Sequence, residues 1–217
     1  MNAFALSLLT SYSIAIPAFC GLIRYRNSVL SYRPFLILCC LGLISEVVSY
    51  LCAVYYHTNA IPFNIFTLVE VLCYTWLFRN WGGFKKDSYF HIYMSMLVVA
   101  WLLDNFILSN IQTINSPSRI LFFFFLIFLA INQVNKILLQ HRGLLLRDSR
   151  FLICAGIIIF YSYSVTTEIF YVLNLNFSDL FYNRVHAVLE WVNVLVNLIF
   201  TIAILWIPRR QKFMLPF

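Results

Sequence analysis

Apolar residues gather into seven stretches of near-spanning length, about 3–23, 34–55, 61–78, 89–108, 119–138, 151–173 and 185–207. Each run is continuous and does not alternate in polarity, which predicts helices rather than the strands of a membrane barrel. The polar positions between runs form connections of about a dozen residues at most. The pattern predicts an all-α membrane protein, one transmembrane domain over residues 1–217, with seven transmembrane helices. The first run has the length of a signal peptide, but its first charges, Arg24 and Arg26, follow the apolar segment instead of preceding it. It is therefore expected to be a retained helix.

Composition agrees. Hydrophobic residues make up 62% of the chain and charged residues 11%, against about half and a quarter in soluble domains. Lipid is the solvent that suits such a chain. Charge then orients it. With the N-terminus outside, one face holds Arg24, Arg26, Arg33, Arg79, Lys85, Lys86, Lys136, Arg142, Arg147, Arg150, Arg209, Arg210 and Lys212. The opposite face holds Arg119 and Arg184. This bias predicts the cell inner membrane, with the N-terminus outside and the C-terminus cytoplasmic. It also accounts for the formal charge of +7, so no nucleic-acid partner is implied. The six cysteines lie inside apolar runs without a CxxC pair, which suggests packing residues and no structural disulfides.

An internal repeat emerges on comparing the runs. Ser45-Glu46-Val47-Val48-Ser49-Tyr50-Leu51 in the second resembles Thr167-Glu168-Ile169-Phe170-Tyr171-Val172-Leu173 in the sixth. Each is followed by a run with an early Asn and a later Glu: Asn64 and Glu70 in the third, Asn183 and Glu190 in the seventh. Runs 1–3 and 5–7 would then be parallel copies joined by the fourth, a 3+1+3 layout known among transporters.

Five of the eight acidic residues fall inside the runs: Glu46, Glu70, Asp104, Glu168 and Glu190. A carboxylate at the bilayer centre costs roughly 2.5–3.5 kcal/mol on insertion scales, so these must face the bundle interior or an interface. Asp104 alone reads best as interfacial. In the last run, His186, Glu190, Asn193, Asn197 and Thr201 are spaced by 4, 3, 4 and 4 residues and form one polar stripe. In the third run Thr67, Glu70 and Tyr74 share a face with Asn64 at its edge; in the sixth, Tyr161, Ser164, Glu168 and Tyr171 do so. If the stripes converge, they make an acidic cavity opening outward. The alternative is that the same residues hydrogen-bond across helices as glue. Phe122–Phe125 reads as lipid-facing, and Asn132, Gln133, Asn135 and Lys136 as a solvated helix end.

Several chemistries find no support. Retinal needs a lysine in the last helix, and 185–207 has none. Haem needs histidines at matching depth; only His57 and His186 lie on one side as a conceivable pair. His186 and Glu190 have an i, i+4 spacing suited to a metal, but no histidine cluster accompanies them. No nucleotide-binding glycine motif is present. No cofactor is expected.

The segments Asn64-Ile65-Phe66-Thr67-Leu68-Val69-Glu70 and Trp191-Val192-Asn193-Val194-Leu195-Val196-Asn197, with the Glu46 region, resemble small seven-helix bacterial membrane proteins of unknown function. That resemblance implies a fold but no activity. The 3+1+3 layout is also similar to PQ-loop sugar carriers and, more loosely, to opsins, without the Pro-Gln dipeptide of the first or the lysine of the second.

The leading expectation is a small transporter or carrier whose outward-facing acidic pocket takes a cation, a proton or a cationic solute. Glu46, Glu70, Glu168 and Glu190 would bind it, with His186, Asn193, Asn64 and Tyr74 assisting. A second reading is a receptor-like sensor or accessory subunit that signals through a separate cytoplasmic protein partner. A third is an intramembrane metal-dependent hydrolase.

Overall fold

The computed structural model of the chain describes residues 10–140, 144–173 and 178–209. Among these residues the structure is all-helical, and an isolated antiparallel bridge between Ser28 and Arg209 is the only strand-like pairing. The helices are α1 (Ala15–Arg24, led in by a 3-10 turn at Tyr12–Ile14), α2 (Arg33–Tyr56), α3 (Ala60–Asn80), α4 (Asp87–Leu103), α5 (Ser116–Gln140), α6 (Ser149–Val172) and α7 (Asp179–Trp206). Six of them, α2 to α7, are long and apolar enough to cross a membrane, and Tyr12–Arg24 is a shorter apolar helix. The first nine residues, where the run expected over 3–23 begins, lie outside the described residues.

Each helix forms because an apolar run in a low-dielectric setting must satisfy its own backbone. Their ends follow local chemistry. Asp148 caps α6 by accepting from the Arg150 N–H, and Ser178 caps α7 by accepting from Phe181 N–H. α3 stops where Gly82 takes φ +72°, which lets Gly83 N–H donate to the Phe78 carbonyl five residues back at 2.8 Å. The outer surface is apolar: Ile23, Phe106, Phe128 and Leu139 are all exposed. Such a surface fits a multi-pass helical membrane protein.

Packing is cyclic. α1 packs on α2, α2 on α3, α3 on α5, α5 on α6, α6 on α7, and α7 returns to α1. α4 stands outside this ring, chiefly against α3. Where α7 meets α1, the Arg24 guanidinium donates to the carbonyls of Ile204, Leu205 and Ile207, and Val29 N–H donates to Pro208 O at 3.3 Å. Elsewhere at this end the Lys136 ammonium donates to Gly82 O, and Ser149 Oγ donates to the Tyr32 hydroxyl at 2.8 Å.

The core lies where the ring closes on itself. Phe122 and Phe123, expected to face lipid, are 0% and 4% exposed. In that Phe run only Phe124 turns fully outward. Gln133, expected at a solvated end, is also buried. α6 and α7 pack tightly at Gly156: a Cβ added there would overlap the edge of the Phe200 ring, which itself packs T-shaped on Phe35 at 5.1 Å. Gly156→Ala is therefore expected to destabilise by on the order of 1 kcal/mol, at the lower end of the usual overpacking range because a ring can swing aside. Phe200→Leu in the same chain should restore stability, and thermal unfolding in detergent measures both. A fully tolerated Gly156→Ala would mean that the helices do not approach this closely.

Candidate functional site

Six helical segments of the ring, but not α4, enclose a cavity of about 360 Å³. Each contributes one face. From α2 come Leu38, Cys39, Gly42, Ser45, Glu46 and Ser49; from α3 come Phe63, Phe66, Thr67, Glu70 and Tyr74. These residues recur at helical spacing, so one stripe of each helix supplies the wall. α6 adds Phe160, Tyr161, Ser164 and Glu168, and α7 adds His186, Glu190, Asn193 and Asn197 together with Val196 and Phe200. Arg119 and Phe123 enter from α5, and Ser11 and Ile14 from the lead-in to α1. Asn59 and His186, both exposed, stand at the end carrying the short α2–α3 turn. On α7 the lining runs from His186 to Phe200, about 20 Å at 1.5 Å per residue.

The walls change character with depth. Near the mouth, His186 Nε2 and the Tyr171 hydroxyl share a hydrogen bond. Glu168 and Arg119 form an ion pair at 2.8 Å with their side chains only 10% and 11% exposed. The Arg119 guanidinium also lies over the Phe63 ring at 4.3 Å, and its Nε has no hydrogen-bond partner. One face of the cation is therefore held by a carboxylate and another by an aromatic quadrupole.

Further in, Thr10 Oγ donates to Glu190 Oε2 at 3.4 Å, and Asn197 Nδ2 donates to Ser13 Oγ at 2.7 Å and to Asn193 Oδ1 at 3.3 Å. The α7 stripe thus faces inward along its length. Thr201, the last of it, turns back onto the Asn197 carbonyl. Glu70 sits beside the Tyr161 hydroxyl and within Coulombic reach of Arg119. That hydroxyl is buried against Glu70 and Tyr74 but falls short of ordinary hydrogen-bond geometry with either. Below it the floor is apolar and aromatic, with Leu38, Tyr74, Phe123, Val196 and Phe200. The Tyr161 ring packs at a tilt of 37° on Phe123 at 4.9 Å and meets Tyr74 edge-on at 6.1 Å.

Of the residues singled out from sequence, Glu46, Glu70, Tyr74, Glu168, His186, Glu190 and Asn193 all line this one cavity. Asn64 does not. Its side-chain amide donates to the carbonyls of Ile111 at 3.1 Å and Thr113 at 2.7 Å, and its own carbonyl accepts from the Trp101 indole at 2.9 Å. Asn183, its counterpart in the repeat, is exposed, so the two asparagines occupy different settings.

Asp104, expected near an interface, lies at the connection between α4 and α5. It is 3% exposed, and accepts from the Ser118 N–H at 2.9 Å where α5 begins. It opens a π turn, Asp104–Leu108, in which Asn105 bonds back to the Trp101 carbonyl and accepts from Asn115. This polar knot ties the α4–α5 connection to α3, and it places Arg119 one residue beyond the capped Ser118. Arg119 is the residue that pattern reading missed. Its signal was present: the charge count set it apart with Arg184 from the other basic residues, at the start of an apolar run.

Glu46, Glu70 and Glu190 have no ion-pair partner among the described residues. No group of three His, Cys, Asp or Glu side chains among the described residues is close enough to hold a metal ion. The six cysteines are all free. No protein-family model, curated protein or solved structure matches the chain.

Proposed function

We propose that the chain is a small multi-pass carrier of the cell inner membrane that binds a cation, or the cationic group of a solute, between its helices. The observation that carries this reading is the cavity: four carboxylates in one enclosed space, three of them without a basic partner among the described residues. Structural glue closes on itself, as the Asn64–Trp101–Asn105 knot does, and leaves no such space. A ligand cavity of this size is in the usual range for small molecules, roughly 300–1,000 Å³.

In this reading α1 is the first of seven spans, and the basic residues place the C-terminal end inside. The mouth at Asn59 and His186 then opens outward. The ring order supports two parallel repeats. α1·α2 and α2·α3 have counterparts in α5·α6 and α6·α7, and the seams α1·α7 and α3·α5 exchange under a two-fold operation. α4, outside the ring, is the joining helix. Glu46 and Glu168 fall on equivalent helices, as do Glu70 and Glu190. Two similar halves that meet along two seams can rock about a site between them, which is the motion a carrier needs.

Thermal unfolding of the full chain in detergent, with inorganic and organic cations at equal ionic strength, tests the reading. At least one cation is expected to stabilise the wild type. Glu190→Gln, which keeps the shape and removes the charge, should weaken that effect by roughly tenfold or more, the worth of one charge-assisted hydrogen bond. No response, or one identical in the variant, would make these residues interhelical glue.

A further inference from the structure

We infer that the occupant of this cavity is an organic ammonium ion carrying an apolar body of about arylalkyl size, and not an inorganic cation. The inference rests on the carrier reading and narrows its substrate. Three observations lead to it. First, size: the cavity measures about 360 Å³, whereas a dry cavity of roughly 150 Å³ already holds benzene. A bare metal ion would leave nearly all of it empty. Second, the carboxylates are dispersed. They sit on α2, α3, α6 and α7, and no three His, Cys, Asp or Glu side chains among the described residues converge on a metal-sized point. Calcium and magnesium need six or more oxygens at short, shared distance.

Third, the walls are laid out in two zones. The floor, with Phe123, Tyr161 and Phe200, is apolar and aromatic and suits a hydrocarbon or aryl group. Above it Glu70 offers a carboxylate, and the buried Tyr161 hydroxyl offers an oxygen not committed to a regular hydrogen bond. An ammonium group placed there would receive a charge-assisted bond and the faces of aromatic rings. Arg119 does not oppose this, because Glu168 already neutralises it. Anionic solutes are disfavoured, since Arg119, the only Lys or Arg among the described wall residues, is engaged and three carboxylates remain. A neutral apolar solute would satisfy the floor and leave Glu70 without a partner.

The probe is phenethylammonium, read by isothermal titration and thermal shift on the full chain in detergent. Sodium and magnesium supply charge without a body, and 2-phenylethanol supplies the body without charge. Phenethylammonium is expected to bind at least tenfold tighter than any of these. Glu70→Gln should weaken it about tenfold, and Phe200→Leu should weaken it severalfold without creating affinity for sodium. Should Glu70→Gln fail to fold, Tyr161→Phe serves instead, with a smaller loss expected. Equal binding of 2-phenylethanol would overturn the inference. So would unchanged binding in variants that fold. Stabilisation by sodium or magnesium alone, lost in Glu190→Gln, would overturn it while leaving the carrier reading intact. Binding of no cation of either kind would remove both.

Discussion

Replacing Arg119 by methionine is expected to cost about 3–5 kcal/mol of stability, the penalty for leaving a buried carboxylate without its partner. Glu168 and Arg119 meet at 2.8 Å with about nine-tenths of each side chain out of solvent. The attraction between them is offset in large part by the desolvation both have undergone. The pair therefore adds little beyond what apolar residues of the same volume would, while half of it alone is costly. Glu168→Gln should cost less than Arg119→Met, because the guanidinium keeps the Phe63 ring and a neutral amide oxygen. The double variant Arg119→Met/Glu168→Leu should recover most of the loss. Denaturant unfolding of the wild type, Arg119→Met, Glu168→Leu and the double variant in one detergent closes the cycle and yields the coupling. An Arg119→Met variant within about 1 kcal/mol of the wild type would mean that water reaches the pair, and that the mouth holds no desolvated ions.

Asn64→Ala is expected to cost about 2 kcal/mol. The alanine keeps the backbone carbonyl that receives the Trp101 indole, so the change removes only the amide that donates to Ile111 and Thr113. Two carbonyls lose their donor, at about 1–3 kcal/mol for each that stays buried. Thr113 is exposed and can find water, which limits the total. The effect should be local. Hydrogen exchange is expected to accelerate across 109–115 and the first turn of α5, with α2 and α7 unchanged. Faster exchange throughout the bundle would show that Asn64 supports the whole fold instead of one connection.

The difference between Asn64 and the other site residues also shows what the sequence could disclose. Helix spacing alone determines direction around an axis, and the α7 stripe at steps of 4, 3, 4 and 4 was legible for that reason. Asn64 precedes Glu70 by six residues, about 240° around the helix, so it looks toward α4 while Glu70 looks inward. Its partners are carbonyls in a connection whose path no pattern specifies. Arg119 was hidden differently. Charge counting used it as a topological marker, and its partner lies 49 residues away on another helix. The Phe122–Phe125 run was opaque because four identical side chains carry no polar contrast from which an inner face could be read. The apolar runs were legible because a bilayer-length helix needs only continuity: α2 to α6 begin and end within about five residues of their runs, α7 begins at Asp179, ahead of its run, and α1 matches only the later part of the run expected over 3–23.

The ring is closed by contacts between residues about 180 positions apart, such as Arg24 with the end of α7. A ribosome delivers α1 long before α7 exists. Until then Ser11, Ser13 and the inner face of α2, with Glu46 on it, have no wall opposite them. Those polar groups stay unenclosed until α7 is in place, and its arrival supplies the missing wall. Ring closure therefore waits for α7 and is not a gradual accumulation. A chain interrupted before α7 would leave Glu46 and the serines of the α1 lead-in facing an open seam in place of a cavity.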